Sequence, residues 1–111
     1  MTNNTKLISI KNDFSIAPGG RLRSDGPDSG EEFREDLLEP LVQEYEKLKI
    51  DLDGVEGYGS SFLEEAFGGL VRANILPYET IKNRIELVTQ DDFLKVEIQS
   101  YMEDANKAAN S

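Results

Sequence analysis

Leu48, Ile50 and Leu52 alternate with Lys49, Asp51 and Asp53. Gly54 then breaks the pattern, before Phe62, Leu63, Ala66, Phe67, Leu70 and Val71 recur at helical spacing. A period of two marks a half-buried strand, and a period of 3.6 marks one face of a helix. The stretch 48–71 therefore predicts a strand, a glycine-punctuated turn and a helix. A strand that feeds a helix reaches its next strand by a crossover, which favours parallel neighbours and a sheet covered by helices.

The flanking segments fit the same plan. Leu7, Ile8, Ile10, Phe14 and Ile16 predict a β-type segment, and Ala17 to Gly30 reads as a loop, with Pro18, Gly19, Gly20, Gly26 and Pro27 inside it and a short strand at Arg21 to Arg23. Ser29 and Glu32 form a capping-box pattern ahead of Phe33, Leu37, Leu38, Leu41, Val42 and Tyr45, which predicts a helix from Gly30 to Glu46, bent at Pro40. After Pro77, with one helical turn, Ile85, Leu87 and Val88 make another strand. Asp91 or Asp92 then caps a last helix bearing Leu94, Ile98, Tyr101, Met102 and Ala105. The expectation is one α/β domain over residues 1–111 with a mixed β-sheet containing parallel strands, and with residues 1–6 and 106–111 frayed.

Composition narrows the chemistry. Twenty-two acidic against twelve basic side chains give a formal charge of −10, which repels nucleic-acid phosphates and anionic lipid and favours a protein partner. The chain has no cysteine and no histidine, so thiol nucleophiles, disulfides, zinc clusters and the usual general base are missing. Neither a membrane-spanning run nor a signal-peptide pattern is visible, which predicts a cytoplasmic protein. No cofactor is called for, and the oligomeric state is not legible.

Gly57-Tyr58-Gly59-Ser60-Ser61 leads into the second major helix. A helix start presents free backbone N–H groups and the positive end of the dipole, so a serine there is suited to carrying a phosphate. Ser61 with Glu64 also fits a capping box, in which case it satisfies backbone donors and Ser60 remains free. At 100° per residue, Ser61, Glu65, Gly68 and Arg72 fall opposite the apolar stripe and form a candidate docking flank. The competing reading is that Gly68 and Gly69 let this helix approach another element of its own fold.

Asp51-Leu52-Asp53-Gly54-Val55 echoes the aspartate pair of haloacid-dehalogenase-type phosphatases, which supports an alternative Mg²⁺-dependent phosphatase or phosphotransferase using Asp51 and Asp53. The other reading places both carboxylates at a strand end, solvated or bonding the turn amides after Gly54. Lys82 and Asp91-Asp92 are poorly spaced for the rest of that chemistry. Serine hydrolase chemistry lacks the histidine that activates the oxygen. Arg21 and Arg23 are candidates for meeting an anion or an acidic partner, or for pairing with Asp25 or Asp28.

The segments Gly20-Arg21-Leu22-Arg23, Ser29-Gly30-Glu31-Glu32-Phe33-Arg34, Ile50-Asp51-Leu52-Asp53-Gly54-Val55 and Gly57 through Leu70 resemble the small bacterial STAS-like family of unknown function, DUF4325, across roughly Leu7 to Met102. The likeness implies a STAS-like fold. More distantly, the strand, turn and helix are similar to STAS domains of the anti-sigma factor antagonist type, whose Asp-Ser-Ser-Gly-Leu turn carries a serine phosphorylated by an ATP-binding kinase. Ser60 takes that serine's place, with Gly59 where the acidic residue stands and Phe62 where the glycine stands. The resemblance implies a non-enzymatic signalling module that works by partner switching. Its partner would be a histidine-kinase-like ATPase, bound through Gly57, Tyr58, Gly59, Ser60, Ser61, Glu65, Gly68 and Arg72.

Overall fold

The structure is a computed structural model that describes residues 4–110. Three strands, β1 (Thr5–Ser9), β2 (Lys47–Asp51) and β3 (Ile85–Val88), form one sheet in the order β1-β2-β3. A short helix α1 (Ile10–Asp13) follows β1, and α2 covers residues 30–44. Helix α3 covers residues 60–72, α4 is Tyr78–Arg84 and α5 is Asp92–Ala109. The sequence predicts a mixed sheet. Both strand pairs among the described residues are instead parallel, because helices carry the chain from each strand to the next and no hairpin intervenes.

Register decides which side of the sheet is dry. Ile8, Ile50 and Leu87 lie in one row, with Ile8 and Ile50 buried and Leu87 packed on the core. The neighbouring row of Leu7, Lys49 and Glu86 faces outward, leaving Leu7 exposed. Helices α2 and α3 lie side by side over the dry face and supply Phe33, Leu38, Phe62 and Phe67 to a single hydrophobic cluster. Phe33 sits 5.9 Å from Phe62 and 5.0 Å from Phe14, between ring centroids. Full burial of each such ring is worth about 1.5–3 kcal/mol, so this aromatic stack is a principal term holding the two helices to the sheet.

Several local expectations change. The segment after β1 is not extended to Ile16: Ser9 caps α1 through a bond from the Asn12 amide. No strand forms at Arg21 to Arg23, where Asp25 accepts hydrogen bonds from the Arg21 and Leu22 amides and pulls the chain into a 3-10 turn at Arg23–Asp25. Ser29 caps α2 by accepting from the Glu32 amide, while Glu32 reaches the Asp28 amide rather than completing the box on Ser29. Helix α2 ends at Glu44, within a turn of the expected end near Glu46, and α4 makes about two turns rather than one. At the two ends, Thr5 and Lys6 belong to β1 and α5 runs on to Ala109. Residues 1–3 and 111 lie outside the described residues.

Helices α2 and α3 each contain one widened turn. In α2 it spans Arg34–Leu38, with the Glu39 amide bonding five residues back to the Arg34 carbonyl. Pro40 follows at once; it lacks an N–H and its ring would press on the carbonyl four residues earlier, so a π turn there absorbs the misfit. The expected bend thus takes the form of a widened turn. In α3 the matching turn spans Glu64–Gly68, and the Gly69 amide reaches the Glu64 carbonyl. Gly30 brings the helices together: a Cβ there would stand 2.6 Å from the Phe62 carbonyl oxygen and 2.9 Å from the Glu65 Cβ. That close approach needs a residue without a side chain.

Candidate functional site

Strand β2 delivers the chain to a loop held by its own polar groups. Asp51 accepts from the Asp53 amide at 2.9 Å, and Gly54 turns the backbone with φ of +92°, a conformation that favours glycine. Tyr58 then folds back, donating its hydroxyl to the Leu52 carbonyl at 2.7 Å and stacking its ring on Phe62 at 6.1 Å. Burial, followed by the nearby charges of Asp51 and Asp53, pushes the Tyr58 phenol above its ordinary value, so it remains a donor. The loop is pinned at this tyrosine, and Gly57 and Gly59 beside it stay exposed.

Helix α3 starts at Ser60 with Gly59 as its cap residue, and no side chain caps it. The alternative in which Ser61 and Glu64 form a capping box is therefore not realised. Glu64 is engaged elsewhere, accepting from Arg21 at 2.6 Å and from Arg72. Those bonds, Arg72's first and Arg21's second, hold the Glu64 carboxyl below the ordinary carboxylate value against the opposing effect of its burial. Ser60 and Ser61 are both exposed, and neither hydroxyl is hydrogen-bonded to the described residues. The first amides of the helix are likewise without intrahelical partners, as at any helix start.

The rest of the expected docking flank is closed, which corrects the exposed-face reading. Gly68 is buried under α5: a Cβ there would stand 2.5 Å from the Glu64 carboxylate and 3.3 Å from the Tyr101 carbonyl oxygen. Gly69 is buried against Arg34, whose Nε would lie 2.8 Å from an added Cβ. Both glycines therefore serve close approach within the fold. Glu65, with 12% of its side chain exposed, pairs with Arg34 at 3.1 Å and with Arg21 at 3.4 Å. Arg72 remains partly exposed while pairing with Glu64. The open part of the predicted set is the loop and helix start, Gly57, Gly59, Ser60 and Ser61, with Tyr58 half-buried among them, and Arg72 at the far end of α3.

The arginine candidates pair with carboxylates, though not with Asp25 or Asp28. Arg21 bridges to Glu64 and Glu65 and so straps the glycine-rich loop onto α3, whereas Arg23 bonds Glu35 at 3.2 Å and Asp36 at 2.8 Å on α2. Asp25 is bound to loop amides and Asp28 to the Ser15 hydroxyl. Asp53 accepts from the Thr89 hydroxyl at 2.6 Å and from the Gln90 amide, joining the β2 and β3 loops. Asp51 and Asp53 thus bond the Asp53 amide and the 89–90 segment, not the turn amides after Gly54, and Asp53 ties two loops together. Among the described residues no group of three or more His, Cys, Asp or Glu side chains is placed to hold a metal ion.

Sequence reasoning missed one part of this end of the molecule. A recess of about 290 Å³ opens beyond the ends of β2 and β3, bounded by the 52–58 loop, Thr89, Asp91 and the first turns of α5. Phe93 stands at its rim, 87% exposed, and Val96 on the same helix is 62% exposed. Both fall outside the apolar stripe of α5 that Leu94, Ile98, Met102 and Ala105 bury, and that off-stripe position is the signal the sequence carried.

No helix among the described residues is long and apolar enough to cross a membrane. Neither a curated protein nor a solved structure matches the chain. A family model described as a STAS-like domain of unknown function, DUF4325, matches residues 29–92, which run from the cap of α2 through the open loop and α3 to the start of α5. With more than half of its length inside that match and a parallel α/β fold to go with it, the chain belongs to the STAS-like DUF4325 family.

Proposed function

We propose that this domain is a regulatory protein-interaction module, without catalysis of its own, that contacts an ATP-binding, histidine-kinase-like regulator through residues 57–61 in the cytoplasm. The observation that carries the reading is the uncapped start of α3, where two exposed serine hydroxyls stand beside unpartnered helix amides. Those amides suit an acceptor group from a partner. A phosphate on Ser60 would sit on the same amides and, favoured by the helix dipole, displace that acceptor. The module would then be switched by competition for one set of donors.

Isolation of the protein from its native host, followed by intact-mass and fragment analysis, is expected to find an added phosphate on Ser60, lost in Ser60→Ala. Ser60→Glu, whose carboxylate can reach the same amides, is expected to weaken binding of the cognate regulator in calorimetry. Unmodified serines together with unchanged affinity for Ser60→Glu would overturn the proposal.

A further inference from the structure

We infer that the recess beside this contact is an anchor site for a basic segment of the partner protein that carries a large aliphatic or aromatic side chain. The inference rests on the reading of the domain as a docking module, and it names what the partner must bring. Phe93 and Val96 are three residues apart on α5 and share one exposed face, so they present a compact apolar contact. Exposed single apolar residues are ordinary; a nearly bare phenylalanine at the lip of a recess with Val55 and Leu94 in its wall is a place where a partner side chain gains burial on both sides.

Charge selects the occupant. Asp53, Glu56, Asp91 and Glu97 line the recess, and no lysine or arginine does. A cation lies close by: the Lys11 side chain runs along Gly54, 2.6 Å from where a Cβ there would stand, and the four carboxylates outnumber it. Asp53 and Asp91 bond backbone amides, which orients their charge without cancelling it. A second copy of this chain brings a net −10 and the same acidic rim, and anionic lipid is repelled for the same reason, whereas a cationic segment is drawn in. Apolar anchor and acidic rim together specify a partner segment in which lysine or arginine flanks a bulky apolar residue.

The test uses the whole protein and a short fluorescein-labelled peptide of alternating leucine and lysine pairs, with a leucine and glutamate peptide as control. Anisotropy is expected to show saturable binding of the lysine peptide alone, weakened roughly tenfold or more by Phe93→Ala, a truncation of a central apolar anchor. Because Phe93 is mostly exposed, its removal leaves the fold intact. Asp104→Asn, an exposed acid near the other end of α5, is expected to leave the affinity unchanged, and amide NMR shifts should gather on Val55, Glu56, Thr89 and Val96. Ser60→Glu should not alter peptide binding, so failure of the Ser60 switch and failure of the anchor are read separately. Equal binding to wild type and Phe93→Ala, shifts centred elsewhere, or a Phe93-dependent homodimer in sedimentation would overturn the inference.

Discussion

The mouth of α3 and its flank are only two turns apart, yet they are built to opposite ends. At the mouth, Gly59, Ser60 and Ser61 are exposed, and no side chain caps the helix. Along the flank, every residue from Ala66 to Val71 is buried, with the sheet and α2 on one side and α5 on the other. The contrast teaches that a polar-looking or side-chain-free face is not an open one. Glycine on a helix invites a neighbour, and here the neighbour is the protein itself.

The strongest way to break the comparison is to crowd the flank. Gly68→Arg must push against the Tyr101 carbonyl and the Glu64–Arg72 pair, and overpacking of this kind should cost about 2–3 kcal/mol, on the order of 10 °C in Tm. Thermal denaturation followed by circular dichroism checks it, and an unchanged Tm would mean that the flank is open after all.

Acid should sharpen the comparison by loosening the strap between loop and helix. Glu64 is faced by Arg72 from α3, Arg21 from the loop and Tyr101 from α5, and its folded pKa lies below the unfolded value. The stabilisation is therefore fully present above the ordinary carboxylate range and is lost as pH falls through the depressed folded value. Glu64→Gln should lower stability at neutral pH by on the order of 1 kcal/mol, solvent screening of partly exposed Arg21 and Arg72 keeping the figure small, and should flatten that part of the acid limb. Parallel limbs for wild type and variant in Tm against pH would assign the strap no role.

The smallest effect belongs to the mouth. Ser61→Ala should change stability by less than about 0.5 kcal/mol, because the hydroxyl caps nothing; a true N-cap would lose about 1 kcal/mol. Urea denaturation distinguishes the two values.

What could be read in the sequence follows the range of the interactions. The β2 alternation, the Ser29 cap and the β3 run are local signals that appear as expected, and of the two cap candidates ahead of α5 it is Asp91 that serves. For Gly68 and Gly69 the close-approach reading holds, and the exposed-face reading fails because a helical wheel assumes one buried stripe and an even 100° step, whereas α3 is covered on two sides and widened at Glu64–Gly68. The uncharged run Ala66-Phe67-Gly68-Gly69-Leu70-Val71 was the available warning, since a helix apolar all round is a buried helix. Arg21 meets a carboxylate forty-three residues away, a pairing that no local spacing encodes. Phe93 and Val96 were visible as apolar residues off the stripe, but the recess beside them exists only once β2, β3 and α5 are assembled.

Residue-resolved amide hydrogen exchange of the wild-type protein tests the division of α3 most directly. The account predicts that the Ser60 and Ser61 amides exchange at nearly unfolded rates while the Gly69 amide, bonded to the Glu64 carbonyl beneath α2 and α5, is protected to the level of global unfolding. Protected serine amides, or a Gly69 amide that exchanges as fast as they do, would contradict it.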